Sequence, residues 1–287
     1  MRGTATHPQL DAEVIHRLAR LAVEEDLAGG IDLTTTSTVP ADQTSTADLI
    51  ARTGGVVAGL PIAQAVFELC GVDRCEVLVE DGSLIAAGDV VLTVTGATRS
   101  LLTAERSALN VVNRLSGVAT LTAAWVQALA GTGAVVRDTR KTTPGLRAAE
   151  KYAVRCGGGQ NHRMGLFDQA LIKDNHLVAA GGVAQAIRAV RSAHPDVFCE
   201  VECDTLDQVQ EALAEGAVLI LLDNMDVETM RLAVQWARAA GARTEASGNL
   251  SLNSARAVAE TGVDFLAVGA LTHSAPALDL GLDLRLG

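Results

Sequence analysis

Aromatic residues are scarce. Two tryptophans, one tyrosine and four phenylalanines are all that 287 residues contain. The core therefore has to come from Ala, Val, Leu and Ile, which carry most of the 48% apolar content. Long apolar runs are missing too. Pro61, Gln64 and Glu68 interrupt the best candidate, which argues against a membrane-spanning helix. The opening MRGTATHPQLDAEV has no signal-peptide core. The five cysteines (Cys70, Cys75, Cys156, Cys199, Cys203) are an odd set without paired CxxC spacing. They read as reduced, mostly buried thiols of a cytoplasmic protein; a zinc site from Cys199, Cys203 and a histidine is a minor alternative. Positive charge is also short, with 23 Lys and Arg against 34 Asp and Glu, a net −11. That balance argues against nucleic acid or an anionic membrane surface as partner.

The few cations are not spread evenly. All three lysines, Lys141, Lys151 and Lys173, lie in one stretch. From 137 to 173 there are eight basic residues and three acidic ones, Asp138, Glu150 and Asp168. An acidic protein that gathers its cations around a Gly-rich segment is building an anion pocket. A solvated helix face would account for Arg147, Lys151 and Arg155 at i, i+4, i+8. It would not account for Arg140-Lys141, His162-Arg163 or Lys173.

Taken in order, Leu10 to Leu27 predicts an amphipathic helix stopped at Gly29-Gly30. Asp32 to Thr36 reads as a polar loop, open to ligand contact. Residues 46 to 100 read as short strands (Ala47–Arg52, Gly55–Gly59, Glu76–Glu80, Val90–Thr95) around one helix, Pro61–Cys70. Lack of βα alternation there predicts a separate α+β domain. Thr103 to Leu115 predicts a helix with a capping-box start, which puts Arg106 in the first turn against the dipole. From Val135 the rhythm changes: VVRDTRK, ALIKDNH, VFCEVEC, VLILLDN, RTEASGN and DFLAVGA are apolar runs with polar ends, each followed by a helix. Helices should begin near Thr205, Asp226 and Ser251 and finish at Gly216, Gly241 and Gly262. Six strands are evident, with a seventh considered at Arg155–Gly159. Such βα units predict an incomplete (β/α) barrel, with a doubly wound sheet as the alternative. The tail alternates Leu278, Leu280, Leu282 and Leu284 and reads as a strand with one buried face, returning to the N-terminal sheet.

At the barrel mouth these elements would gather Arg140, Lys141, His162, Arg163 and Lys173 as cations. Arginine forks suit a di- or tricarboxylate or a phosphate. Glu202 and Asp223, at successive strand ends, suit sugar hydroxyls, Mg²⁺ or a developing positive charge; they could equally be ion-pair partners of the basic cluster. Ser247-Gly248-Asn249 before a helix start, with Gly269-Ala270 nearby, fits a phosphate cradle.

Beyond these readings, long ordered motifs carry a resemblance: TRKTTPGLR (139–147), EKYAV (150–154), GGGQNHR (157–163), IKDNH (172–176), LTAERSALN (102–110), SGVAT (116–120), EVE (200–202), LDN (222–224), EASG (245–248) and VGALTHS (268–274). Together they span nearly the whole chain. The chain resembles the nicotinate-nucleotide pyrophosphorylases (carboxylating), also called quinolinate phosphoribosyltransferases. The resemblance implies a type II phosphoribosyltransferase fold, with an N-terminal α/β sandwich over 1–117 joined by the tail 275–287 and an incomplete (β/α) barrel over 118–274, and a homodimer with shared active sites. It also implies Mg²⁺ and the conversion of quinolinate and phosphoribosyl pyrophosphate to nicotinate mononucleotide, pyrophosphate and CO₂ in NAD synthesis. By motif, Arg140, His162, Arg163 and Lys173 would hold the dicarboxylate, with Arg106 supplied by the partner subunit. Lys141 would meet phosphoribosyl pyrophosphate. Glu202 and Asp223 would meet its ribose and its metal, directly or through the substrate. Ser247, Gly248, Asn249 and Gly269 would cradle the 5′-phosphate, and Thr139 and Ala270 complete the substrate-binding set. Lys141, Glu202 and Asp223 would be the catalytic groups. Relatives commonly have a second glycine where this chain has Asn249, so a backbone contact there is open. Rival readings are a barrel aldolase using Lys173 as a Schiff base and a dicarboxylate-binding module without turnover.

Overall fold

The computed structural model describes residues 8–286. Met1 to His7, half of the N-terminal stretch discussed above, and Gly287 lie outside the described residues. In chain order the elements are α1 (Ala12–Leu27), α2 (Leu33–Thr38), β1 (Thr44–Ala51), β2 (Gly55–Val56), α3 (Leu60–Leu69), β3 (Arg74–Val77), β4 (Leu84–Ile85), β5 (Val90–Ala97) and α4 (Thr98–Ala128). Then come β6 (Val135–Arg137), α5 (Arg147–Cys156), β7 (Ala170–Ile172), α6 (Asp174–Ala180), α7 (Val183–Ala193), β8 (Cys199–Cys203), α8 (Leu206–Ala214), β9 (Leu219–Asp223), α9 (Val227–Ala239), β10 (Arg243–Ser247), α10 (Leu252–Ala259), β11 (Phe265–Ala267), α11 (Ala270–His273) and β12 (Leu280–Leu286). The chain forms two compact units. One holds the residues up to Ala123, Thr142–Gly158 and those from Leu271 on; the other holds Ala124–Lys141 and Gly159–Ala270.

The first unit is built on an antiparallel sheet of order β12-β1-β5-β3. Alternation sets its faces: Ser45, Ala47, Leu49 and Ala51 of β1 are buried while the residues between them are less so, as period-2 side chains require. Leu49 pairs with Leu282 and Ala47 with Leu284, which makes β12 the outer neighbour of β1. Helix α3 starts at Gly59, which has no capping side chain of its own. Asp81 supplies the missing acceptor: its carboxylate takes the N–H groups of Gly59 (2.7 Å) and Leu60 (3.2 Å) and the hydroxyl of Tyr152 (2.7 Å). Burial pushes the Asp81 carboxyl above its usual range despite these bonds.

Helix α4 runs 31 residues from Thr98, not from Thr103. Thr103 is an interior residue whose hydroxyl donates to Asp32 at 3.2 Å. Arg106 is thus well inside the helix, and its conflict with the dipole disappears. Gly117 is in mid-helix because the 276–277 backbone passes against it; a Cβ there would meet the Pro276 carbonyl oxygen at 2.0 Å. Arg114 on the same helix reaches the wholly buried Glu150 at 2.8 Å and donates to the carbonyls of Thr272 and Ala275. Glu150 also accepts from the backbone and hydroxyl of Thr143, at 3.0 and 2.8 Å.

Two further expectations need correction. Asp32–Thr36 is no loop: Asp32 caps α2 by accepting Thr35 N–H at 2.9 Å. The Thr and Ser hydroxyls of α2 then donate to its own backbone carbonyls, as with Ser37 to Leu33 at 2.6 Å. Residues 155–159 are not a strand. Arg155 and Cys156 end α5, and Gln160 makes only a single parallel bridge to Arg137.

The second unit is an all-parallel sheet of order β6-β11-β10-β9-β8-β7, the incomplete (β/α) barrel. Its strands are the six apolar runs, buried on both sides as parallel strands are. The intervening helices carry their own start signals. Thr205 and Ser251 form capping boxes with Gln208 and Ser254, and Asp226 accepts Thr229 N–H at 2.8 Å. Among the described residues no helix is long and apolar enough to cross a membrane. All five cysteines are free thiols, and burial pushes Cys203 up to about 12. No cysteine belongs to a group of three potential metal ligands among the described residues, so Cys199 and Cys203 build no zinc site.

Candidate active site

Because the six barrel strands are parallel, their C-terminal ends face one way, where barrels carry their chemistry. β6 runs into Asp138–Lys141, β7 into Lys173, β8 carries Glu200 and Glu202, β9 ends on Asp223, β10 carries Glu245 and Ser247, and β11 leads to Gly269.

One part of this rim is acidic. Glu202, Asp204 and Asp223 each offer an oxygen, and these atoms lie within 4.8 Å of one another. Lys173 Nζ is 2.7 Å from Glu202 Oε2. Asp204 stands above the usual carboxylate range, first through burial and then through the charges of Asp223, Glu202 and Asp174. Sequence reading missed Asp204, although it follows the β8 strand end by one residue.

The other part is cationic. Arg163 is buried and Arg140 half-buried. Desolvation, then the like charge of Arg140, holds the Arg163 guanidinium below its ordinary pKa, with Glu200 and Asp168 opposing. Thr139 Oγ1 accepts the N–H of Lys141 at 3.0 Å, fixing the turn that carries Arg140; the Lys141 side chain is exposed. Asp138, wholly buried, accepts the backbone N–H of His162 at 2.8 Å and Asn161 Nδ2 at 2.6 Å. It thereby ties the end of β6 to the 161–163 loop.

Under these groups lies a buried ionic layer. Arg137 reaches Glu245 at 2.7 Å and stacks over the Phe265 ring at 4.0 Å. His162 Nε2 is 2.8 Å from Glu200 and 3.8 Å from Glu245. Burial, reinforced by the neighbouring Glu200 charge, pushes the Glu245 carboxyl up to about 7. Carboxylates crowded in a dry site cannot ionise independently.

Ser247, Gly248 and Asn249 turn from β10 toward α10. Gly248 has φ +84°, and a Cβ there would meet Asn224 Oδ1 at 2.1 Å, so only glycine fits. Asn249 is also left-handed, at φ 42°. Asparagine tolerates that region better than most residues, which explains how it stands where a second glycine is common. Its amide donates to Asn224 Oδ1 at 3.2 Å. Gly269 and Ala270 are half-buried at the end of β11. Arg106 belongs to the first unit and is exposed on α4.

The whole chain can be compared with known proteins. Residues 32–116 match the family model for the quinolinate phosphoribosyl transferase N-terminal domain, and residues 118–283 match that for its C-terminal domain. The chain belongs to the quinolinate phosphoribosyl transferase family. It is 55% identical to the nicotinate-nucleotide pyrophosphorylase [carboxylating] of Mycobacterium leprae (strain TN), over 92% of this chain and 95% of that one. It is 46% identical to a probable enzyme of the same name from Synechocystis sp., over 82% and 81%. The structure of the nicotinate-nucleotide pyrophosphorylase from Francisella tularensis superposes with a TM-score of 0.92 at 39% identity, covering 99% and 100% of the two chains. The fold is that of the type II phosphoribosyltransferases. As a member of this family the chain is a transferase.

Proposed function

We propose that this chain transfers phosphoribosyl from phosphoribosyl pyrophosphate to quinolinate with loss of CO₂, giving nicotinate mononucleotide and pyrophosphate in NAD biosynthesis. The observation that carries the reading is the charge pairing at the barrel rim. Arg163 is held buried against the like charge of Arg140, a repulsion that a bound dicarboxylate relieves, and three carboxylates cluster at the ends of two adjacent strands, β8 and β9. Arg140, Arg163, Lys173 and His162, with Thr139 at their base, form the dicarboxylate end. Lys141 and the Ser247-Gly248-Asn249 turn, with Gly269 and Ala270, take the phosphates.

Departure of pyrophosphate leaves positive charge on the anomeric carbon, which Glu202 and Asp223 stabilise. The ring nitrogen then becomes a pyridinium, an internal sink for the electrons left when CO₂ departs. The protein's work is positioning and charge complementarity. The oxygen-only set Glu202, Asp204 and Asp223 fits Mg²⁺, a hard cation; when bound with the substrate, Mg²⁺ neutralises the leaving pyrophosphate. Lys173 is ion-paired with Glu202 and open to solvent. That is not the apolar pocket a Schiff-base lysine needs, so the aldolase reading is weaker.

The test is release of labelled CO₂ from carboxyl-labelled quinolinate. It should need both phosphoribosyl pyrophosphate and Mg²⁺. No release with all three present would overturn the reading.

The reading includes a cytoplasmic homodimer in which Arg106 of the partner subunit completes each site. The exposure of Arg106 on α4 supports the shared site, and the unbridged thiols support the location. Inactive Arg106→Ala and Lys173→Ala proteins should regain part of the wild-type rate when their subunits are exchanged. No recovery after exchange verified by mass spectrometry rules out the shared site.

A further inference from the structure

Beneath the two arginines lies a carboxylate to which the reaction above assigns no role. Glu200, wholly buried in β8, receives His162 Nε2 at 2.8 Å and Gln169 Nε2 at 3.0 Å on the same oxygen. The backbone carbonyl of Gln169 accepts Arg163 Nη1 at 2.9 Å. The backbone N–H of Arg163 donates to His162 Nδ1 at 2.7 Å. These bonds close a ring from His162 through Glu200, Gln169 and Arg163 back to His162. Since Nδ1 accepts the Arg163 N–H, Nε2 is the nitrogen that donates to Glu200. Both ring nitrogens thus face protein groups.

The loop bearing this ring is pinned at both ends. Asp138 holds the His162 N–H, and Asp168 accepts the N–H groups of Met164 and Gly165 at 2.7 and 2.9 Å. Among the described residues, Nη1 is the only guanidinium nitrogen of Arg163 with a hydrogen bond, so Nη2 and Nε remain for a ligand. An arginine fork recognises a carboxylate through two parallel bonds, and its direction matters as much as its charge. A side chain fixed beforehand loses less conformational freedom on binding.

We propose that Glu200 is a positioning residue of the dicarboxylate site. Through His162 and Gln169 it sets the direction in which Arg163 presents its free nitrogens. His162 is the link of that ring between Glu200 and the backbone of Arg163. The assignment rests on the quinolinate reading given above.

The experiment measures equilibrium binding of quinolinate and, separately, of phosphoribosyl pyrophosphate to wild type, Glu200→Ala and Gln169→Ala. Quinolinate should bind about 30-fold more weakly to Glu200→Ala and about tenfold more weakly to Gln169→Ala, while phosphoribosyl pyrophosphate shifts less than about threefold in both. In ¹⁵N-histidine spectra of the wild type, the resonance that vanishes on His162→Gln should report an unprotonated Nδ1 and a protonated Nε2. Quinolinate affinity unchanged in both variants, equal weakening of both ligands, or a protonated Nδ1 each overturns the assignment. If Glu200→Ala does not fold, Gln169→Ala decides alone, since its side chain is only partly buried. A wild type that binds no quinolinate overturns the functional reading and this assignment together; a wild type that binds it, with variants indistinguishable from it, overturns this assignment alone.

Discussion

Replacing Arg140 with alanine should lower kcat/KM for quinolinate by two orders of magnitude or so, which corresponds to about 2–4 kcal/mol of transition-state stabilisation. The argument is electrostatic and geometric. Arg140 and Arg163 repel each other in a partly dry site, and on the proposed function a doubly charged ring would offset that repulsion. Removing one leaves a carboxylate of the substrate desolvated without its partner. Lysine at 140 should not restore the rate, because an ammonium is a point charge and cannot make the paired bonds of a guanidinium. Steady-state kinetics on Arg140→Ala and Arg140→Lys check this. A loss under about tenfold in the alanine variant would remove Arg140 from the recognition of the ring.

Replacing Glu150 with alanine should destabilise the protein by about 3–5 kcal/mol, the usual consequence of breaking a buried ion pair from one side. Glu150 is wholly buried and receives Arg114, the Thr143 N–H and the Thr143 hydroxyl. Without it, Arg114 keeps only the carbonyls of Thr272 and Ala275, and its charge is uncompensated. Such a loss is a large part of the about 5–15 kcal/mol that ordinarily holds a domain folded. Thr143 lies two residues after Lys141, so the same change also frees the TTPG turn that follows that lysine. Urea denaturation measures the effect, and a change below about 1 kcal/mol would mean that Glu150 does not hold the turn.

The barrel was legible because each of its units is punctuated locally. Thr205, Asp226 and Ser251 open helices with their own side chains, and Gly216, Gly241 and Gly262 stand in left-handed conformations just beyond the ends. The apolar runs between could only be buried strands. Only one of the missed elements turns on a contact distant in sequence. Thr103 looked like a cap, yet its hydroxyl is taken by Asp32, 71 residues away. Arg155–Gly159 reads as a candidate seventh strand, whereas Arg155 and Cys156 end α5, in which Ala149 to Val154 are all buried. By its polarity alone Asp32–Thr36 reads as a loop. A capping aspartate and hydroxyls that donate to the helix's own backbone make a short helix of it.

The site shows the same division. Arg140, Lys173, Glu202 and Asp223 stand out because charge is conspicuous at the end of an apolar run, and Arg163 because the few cations cluster around it. Gln169, Arg114 and Asp138 do not stand out. Each acts by holding another group still, and a supporting amide or carboxylate leaves no periodic or compositional trace. Asp204 and Glu245 could have been found by extending the strand-end rule one residue outward and two inward.

The pairing of β12 with β1 has a bearing on how the chain is made. Arg285 donates to Asp48 across 237 residues, so the strand nearest the N-terminal end leaves the ribosome long before its neighbour is synthesised. Until then β1 keeps an open edge, a template for pairing with other nascent chains, and closing so long a loop is entropically slow. The entire barrel is translated in between and can fold while β1 waits. Chaperone demand during synthesis should therefore fall on the first unit, and shortening the chain before Leu280 should raise it most.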